Sequence, residues 1–393
     1  MKIVQINATC GAGSTGKICV AISKLLNEHG VENYILYSSY QSSYENGIKY
    51  MTDKEVKLQA IKSHLFGNYG FNTKKATKRL ISKLNDISPD IIHLHNLHSH
   101  NIDLKIFFDY IKSKKIKLFW TFHDCWAFTG YCPHFFMIKC DKWKTQCKDC
   151  PQKKSYSWFF DKSTTLYETK KLLFSGLDMT IITPSKWLGD LVKQSFLKDY
   201  PVKVINNGIN LNVFKPSESD FRKQYNLEDK KIILGVAFDW GVRKGLDVVI
   251  ELSKRLPNDY KIVLVGTNEA VDKKLPDNII SIHRTQNQGE LAEIYSSANV
   301  LINPTREENY PTVNMESIAC GTPVITFKTG GSPEILDEKT GSVVEIDDID
   351  AMELEILRIC TFEPYSQKDF MERSKSFDEN QKFLEYLRLY DIE

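Results

Sequence analysis

Seven residues separate Glu308 from Glu316, beginning with Asn309-Tyr310-Pro311, and the short apolar run that follows ends before Gly321. Proline suits the first turn of a helix and glycine the position just past its end, so the spacing predicts a helix over 312–320. The positive N-terminal end of such a helix attracts anions through its unpaired amides. Glu308 would lie in the loop at its mouth and Glu316 about one turn inside, both as acceptors for ligand hydroxyls. Carboxylates beside an anion-binding helix end suit a ligand that carries both hydroxyls and phosphate, such as a nucleotide-sugar.

A second group of chemical residues follows the strand-like run at 231–237. Arg243-Lys244-Gly245 precedes a predicted helix over 246–256. At a strand-to-helix turn the guanidinium can bind a diphosphate by paired hydrogen bonds and the ammonium can act as a point charge. Near the N-terminus, Gly11-Ala-Gly13-Ser14-Thr15-Gly16-Lys17 matches G-x-G-x-x-G and G-x-x-x-x-G-K literally. A phosphate loop of the NTPase kind needs Ser or Thr after the lysine, and Ile18 stands there; a dinucleotide site needs an acid after the second strand, which here runs into Ser38-Ser39. What survives is a glycine turn whose amides can approach a phosphate. An NTPase or dinucleotide enzyme built on this loop remains one alternative, and a non-catalytic binding protein another.

His93, His95, His98 and His100 fall within eight positions, and His123-Asp124 ends the run at 117–122. A metal would need more carboxylates nearby, so the histidines read as a strand end and loop on the ligand side of a sheet. Of nine cysteines, five lie between Cys125 and Cys150. Cys132, Cys140, Cys147 and Cys150 suit a structural zinc held by four thiolates; otherwise they are reduced thiols. Asp348-Ile-Asp350 matches the acidic triplet of metal-dependent sugar transferases, but its place at a helix start reads as capping charge.

A chain of 393 residues exceeds one ordinary core, and two βα-alternating halves are expected. No apolar run reaches the roughly 18 residues of a membrane span. The sequence enters a strand at once, without the apolar region of a signal peptide, so a cytoplasmic location is expected. Residues 1–205 carry 30 Lys and Arg against 17 Asp and Glu, a net +13, and the remainder 22 against 33, a net −11. The basic half suits an anionic membrane surface or an anionic acceptor such as a lipid pyrophosphate, or is simply a solvated face. Nucleic acid is not expected, because no recognition motif accompanies the charge.

Glu308, seven residues and Glu316, followed by Ala319-Cys-Gly-Thr-Pro-Val-Ile325 and Gly330-Gly-Ser-Pro-Glu334, resemble the donor site of glycosyltransferase family 4. The resemblance implies a retaining, metal-independent hexosyltransferase of the GT-B fold: two Rossmann-like doubly wound α/β domains facing across a cleft, with a C-terminal helix returning to the first. It implies an acceptor-side domain over 1–209 with a Cys-rich insertion near 125–151, a linker over 210–228, a donor domain over 229–365, and a returning segment over 366–393. Glu308 would contact the sugar, Glu316 the ribose, and Arg243 and Lys244 the diphosphate, with His123 at the sugar. Tyr310, the amides of Thr312 and Val313, and the backbone near Thr285 would complete the donor site, with Gly13, Ser14, Thr15 and Gly16 near the donor phosphate. Glu308, His123 and Lys244 are the expected catalytic residues. The expected partners are a UDP- or GDP-linked donor, a glycan or lipid-linked acceptor of bacterial surface polysaccharide assembly, and the inner face of an anionic membrane, with no cofactor required. Two positions depart from the family: Tyr310-Pro311 replaces Phe-Gly, and Phe238 stands where an arginine is usual.

Overall fold

The computed structural model describes residues 1–98 and 100–392. The chain divides into two compact units, Met1–Asn206 with Phe383–Glu393, and Asn207–Lys382. In the first, β1 (Lys2–Asn7), β2 (Glu32–Tyr37), β3 (Gly47–Lys49), β4 (Ile91–Leu94), β5 (Lys117–Thr121), β6 (Met179–Thr183) and β7 (Val202–Val204) form one sheet. Its strand order is β3-β2-β1-β4-β5-β6-β7. In the second, β8 (Lys231–Val236), β9 (Tyr260–Val265), β10 (Ile279–Ile282), β11 (Val300–Asn303), β12 (Val324–Phe327) and β13 (Gly341–Val344) take the order β10-β9-β8-β11-β12-β13.

All these pairings are parallel. Parallel strands need crossover helices, which cover both faces and demand nearly continuous apolar strands. Ile3, Val4 and Ile6 of β1 and Ile232–Leu234 of β8 are accordingly buried. Strand order reverses between β1 and β4 and again between β8 and β11. Open α/β sheets bind ligands in the crevice beyond such a reversal. The loops after β1 and β4, and those after β8 and β11, are thereby the chemical ends of the two sheets.

Two expected boundaries move, and one weakly patterned stretch proves structured. Residues 40–75, polar and weakly patterned in sequence, contain β3 and the helix Asp53–Phe66. That helix is started by a capping box between Thr52 and Glu55, which needs no amphipathic pattern. The expected linker over 210–228 belongs to the second unit, because Phe214, Phe221 and Leu227 are buried in its core. Most of the expected returning segment stays there too. Phe370, on the helix Gln367–Ser374, is buried in that same core, and Arg373 donates to the carbonyls of Glu334 and Ile335. The return to the first unit begins at Phe383, where Phe383, Tyr386, Leu387 and Tyr390 pack with Ile3, Ile22, Leu26 and Phe119.

Candidate active site

Lys244 is placed by a short 3-10 turn, Val242–Lys244, after β8. Gly245 follows with φ +74, and a side chain there would come within 2.3 Å of the Pro304 carbonyl oxygen. Only glycine permits this approach of the turn to the segment after β11. The contact is then tied by one backbone and one side-chain bond: Arg306 N–H donates to Arg243 O at 2.9 Å, and the Arg243 guanidinium Nη1 to Glu307 O at 3.3 Å. Arg306 cross-braces the same join. Its guanidinium pairs with Asp247 at 2.7 Å and with Asp347 at 2.7 Å, which raises its pKa further above the ordinary value. Lys244 Nζ consequently lies 2.5 Å from Glu308 Oε2, with both side chains about a fifth exposed. Asn309 N–H donates to the other carboxylate oxygen at 3.1 Å.

The helix Thr312–Ala319 begins at Pro311, and no side chain caps it. Its first-turn amides, Thr312 and Val313, therefore keep the anion-binding character of an uncapped end. Glu316 is one turn in, where its Oε2 accepts from Tyr295 Oη at 2.9 Å. Tyr295 is fully buried on the helix Gln288–Ser297; burial first, and then Glu316, hold its phenol well above the usual range. The second unit thus gathers Arg243, Lys244, Glu308, Thr312, Val313 and Glu316 around the β8–β11 reversal. Tyr310 is a member of the core, 8% exposed, which leaves little of its ring for a ligand. Thr285 lies after β10, the edge strand, two strands from β8. Sequence reading passed over Arg306 and the Tyr295 bond to Glu316. Arg306 stands two positions before Glu308, but its partners lie 59 and 41 positions away.

In the first unit the histidines form a polar seam at the β1–β4 reversal. His95 is hydrogen-bonded through Nε2 to Gln5 Oε1 at 3.1 Å and through Nδ1 to His123 Nε2 at 3.1 Å. Gln5 Nε2 donates to Cys19 O, which makes Gln5 Oε1 the acceptor for His95. His95 is then protonated on Nε2, and His123 donates to it from Nε2. That tautomer makes Nδ1 of His123 an acceptor nitrogen. Burial lowers His123 to about 4 with Asp124 opposing, and lowers His95 much further, so both are neutral imidazoles near pH 7. His98 is bonded to Asp124 at 2.8 Å. Burial works against the Asp124 charge, but His98 outweighs it and holds the carboxyl at about 2.

The sequence profile described as Glycosyltransferase Family 4 matches residues 16–213, half of the chain, and that described as Glycosyl transferases group 1 matches residues 217–382. The chain belongs to glycosyltransferase family 4. Along 414 aligned residues, 99% of each chain, it is 23% identical to WcaC of Escherichia coli (strain K12), named for colanic acid biosynthesis. Among solved structures it is similar to a sucrose-phosphate synthase from Thermosynechococcus elongatus (TM-score 0.74, 20% identity, 99% and 98% of the two chains). It is also similar to Anabaena HepE in complex with UDP (TM-score 0.69, 14% identity, the full length of both). The fold is GT-B, and the protein is a glycosyltransferase. A P-loop or dinucleotide role for the Gly11–Lys17 loop is overturned by this membership.

In this family 4 enzyme that loop keeps its phosphate-compatible backbone. The helix Gly13–Glu28 starts without a side-chain cap, and Gly11 N–H closes onto Gly16 O at 3.0 Å. Lys17 lies exposed beyond the loop. The acidic triplet behaves as expected, with Asp348 capping Ala351 N–H at 2.9 Å. Cys132, Cys140, Cys147 and Cys150 line one small cavity, yet among the described residues no group of three or more His, Cys, Asp or Glu side chains is arranged to hold a metal ion. The same holds for the histidine run. The cysteines are free thiols; burial raises Cys147 to about 11 and Cys132 further, which favours the protonated form. Trp126, Phe128, Phe135 and Trp143 anchor the segment by packing into the first core.

The neutral histidines set a pH dependence. His93 is lowered to about 3, and His100 and His123 to about 4, mainly by burial. The unfolded chain binds protons near pH 6.5, so on acidification it protonates first. Stability is present above pH 6.5 and is lost as pH falls through 4 towards 3. The urea midpoint of the enzyme is expected to drop between pH 7 and 4, and His93→Gln to flatten that slope by up to about 1.4 kcal/mol per pH unit. An unchanged slope in the variant would remove His93 from the account.

Proposed function

We propose that this enzyme transfers a hexosyl group, with retention of configuration, from a UDP- or GDP-linked sugar to a glycan or lipid-linked glycan during bacterial surface polysaccharide assembly. The carrying observation is the Lys244–Glu308 pair, 2.5 Å apart beside an uncapped helix end that also bears Glu316. The full-length similarity to WcaC supports the polysaccharide setting, and the likeness to HepE, which was solved with UDP bound, supports a nucleotide donor.

In this reading the diphosphate lies against the amides of Thr312 and Val313, where the helix dipole favours negative charge. Arg243 and Lys244 neutralise it further as the nucleoside diphosphate departs. Lys244 exchanges its Glu308 partner for phosphate, and the released carboxylate accepts hydrogen bonds from sugar hydroxyls. Glu316, held by Tyr295, does the same for the ribose. His123 presents an acceptor nitrogen to a sugar hydroxyl and stays neutral throughout. Positive charge fixed at the leaving group lowers the barrier as the sugar gains oxocarbenium character, and the fixed cationic side chains serve this without invoking a divalent ion.

Thermal unfolding in a panel of UDP- and GDP-sugars tests the donor. A ligand at 100 times its Kd is expected to add about 2.7 kcal/mol of stability, and the same compound to support transfer. Unfolding temperatures that no nucleotide-sugar raises, together with no turnover, would leave a non-catalytic relative as the correct reading.

A further inference from the structure

Part of the first unit is turned inside out. In the helix Asp53–Phe66, Leu58, Ile61 and Phe66 are each about half exposed while Ser63 is buried. At 100° per residue, Ile61, Leu65 and Leu58 fall within an arc of about 60°, with Lys54 one turn ahead in the same stripe. Lys57 and Lys62 stand about 40° outside it, one on each side. An outward apolar stripe flanked by lysines is the arrangement of helices that lie in a membrane interface, where long basic side chains reach back to the headgroups.

Three consecutive aromatic residues continue this surface. Trp158, Phe159 and Phe160 are 54%, 64% and 52% exposed. They are held outward by local bonds: Trp158 N–H donates to His64 O at 2.8 Å, its indole stacks on the His64 ring, and Phe160 N–H donates to Ser157 Oγ. Lys162 lies 5.9 Å from the Phe160 ring and donates to Asn68 Oδ1 just beyond the helix, which joins the two parts. Six large apolar side chains, each about half exposed or more, thus stand on two segments that the Trp158–His64 and Lys162–Asn68 bonds join. That exceeds what scattered exposure would give a surface with nothing to cover it.

The charges around this face choose the occupant. Among the described residues none of Lys54, Lys57, Lys62, Lys153 or Lys154 forms an ion pair. The nearby acids already have partners: Asp53 pairs with Lys49, Glu55 with Arg79, and Asp161 accepts from the amides of Cys150 and Ser163. With the +13 of residues 1–205, the face offers aromatic anchors ringed by unpaired lysines. We propose that the Leu58–Phe66 face and the Trp158–Phe160 loop together dock this enzyme on a bilayer containing anionic phospholipid, the aromatics entering the interface and the lysines meeting the headgroups. The inference is independent of the donor assignment.

Co-sedimentation of the full chain with vesicles of phosphatidylcholine alone, or with phosphatidylglycerol added, tests it. Binding is expected only with the anionic lipid, falling at high salt, with a blue shift of tryptophan emission. Trp158→Ala/Phe159→Ala/Phe160→Ala and Leu58→Ser/Ile61→Ser are each expected to weaken vesicle partitioning at least about 10-fold. Far-ultraviolet circular dichroism checks their fold. Equal binding to neutral vesicles, binding that survives both variants, or no binding at all would overturn the proposal. So would a vesicle-free dimer that the same substitutions dissociate, because the face would then serve self-association.

Discussion

Lys244→Ala and Glu308→Ala are each expected to reduce glycosyl transfer by about 10²-fold or more, the scale on which single charge-stabilising groups act at a reacting centre. Each change removes one partner of a pair whose side chains are about four-fifths buried, and so leaves the other charge uncompensated next to the donor site. The effect on folding should be small, about 1 kcal/mol, because both side chains project from loops that Gly245 and Arg306 already hold. Lys244→Arg should not restore full activity, since the planar guanidinium cannot take the place of a point charge at 2.5 Å. The double variant should lose less than the sum of the singles. Steady-state kinetics with a nucleotide-sugar, alongside urea unfolding, would measure both. Wild-type turnover in either single variant would remove the pair from the active site.

The second large effect is expected at Gly330. This residue has φ +55, and a Cβ there would lie 1.8 Å from the Glu308 carbonyl oxygen. Its neighbour Gly331 donates its N–H to Asn309 O at 2.7 Å, so the glycine pair is the floor on which the Glu308 loop rests. Gly330→Ala adds the strain of a left-handed L-residue, about 1–2 kcal/mol, to a clash that only movement of Glu308 can relieve. A loss of about 2–4 kcal/mol in unfolding free energy is expected, within the range of backbone-incompatible substitutions. Donor affinity should fall with it. Gly241→Ala is the control: its φ is extended and a Cβ there meets nothing within 4 Å, so stability should stay near wild type. Equal stability of the two variants would show that the Glu308 loop does not depend on the glycine floor.

The strands of both sheets were legible because parallel strands buried on two faces must be nearly continuous apolar runs, as in Lys2–Asn7 and Lys231–Val236. The candidate site was legible where its residues are local. Glu308, Glu316 and the helix between them lie within a few turns of chain, and Lys244-Gly245 marks its own loop. Contacts between distant positions were not. Nothing near Arg306 points to Asp247 or Asp347, and the bond from Tyr295 to Glu316 joins separate helices. The cysteine spacing marked Cys132, Cys140, Cys147 and Cys150, which line one cavity, but spacing carries no information about packing, and it did not show that Trp126, Phe128, Phe135 and Trp143 of the same segment enter the core. The helix Asp53–Phe66 was invisible for the opposite reason: its cap specifies it, while its apolar residues face outward and blur the periodicity.

Sequence alone determined the chemical types at each strand end, the alternation that makes two Rossmann-like units, and the family pattern carried by residues 308–334. Tertiary structure decided that Lys244 meets Glu308, that Tyr310 belongs to the core, that the second unit runs on to Lys382, and that Phe383 begins the return to the first. The physical reason is range. Periodicity, capping and turn chemistry act over a few residues, whereas an ion pair across 64 positions forms only after the sheet has brought two loops to the same edge.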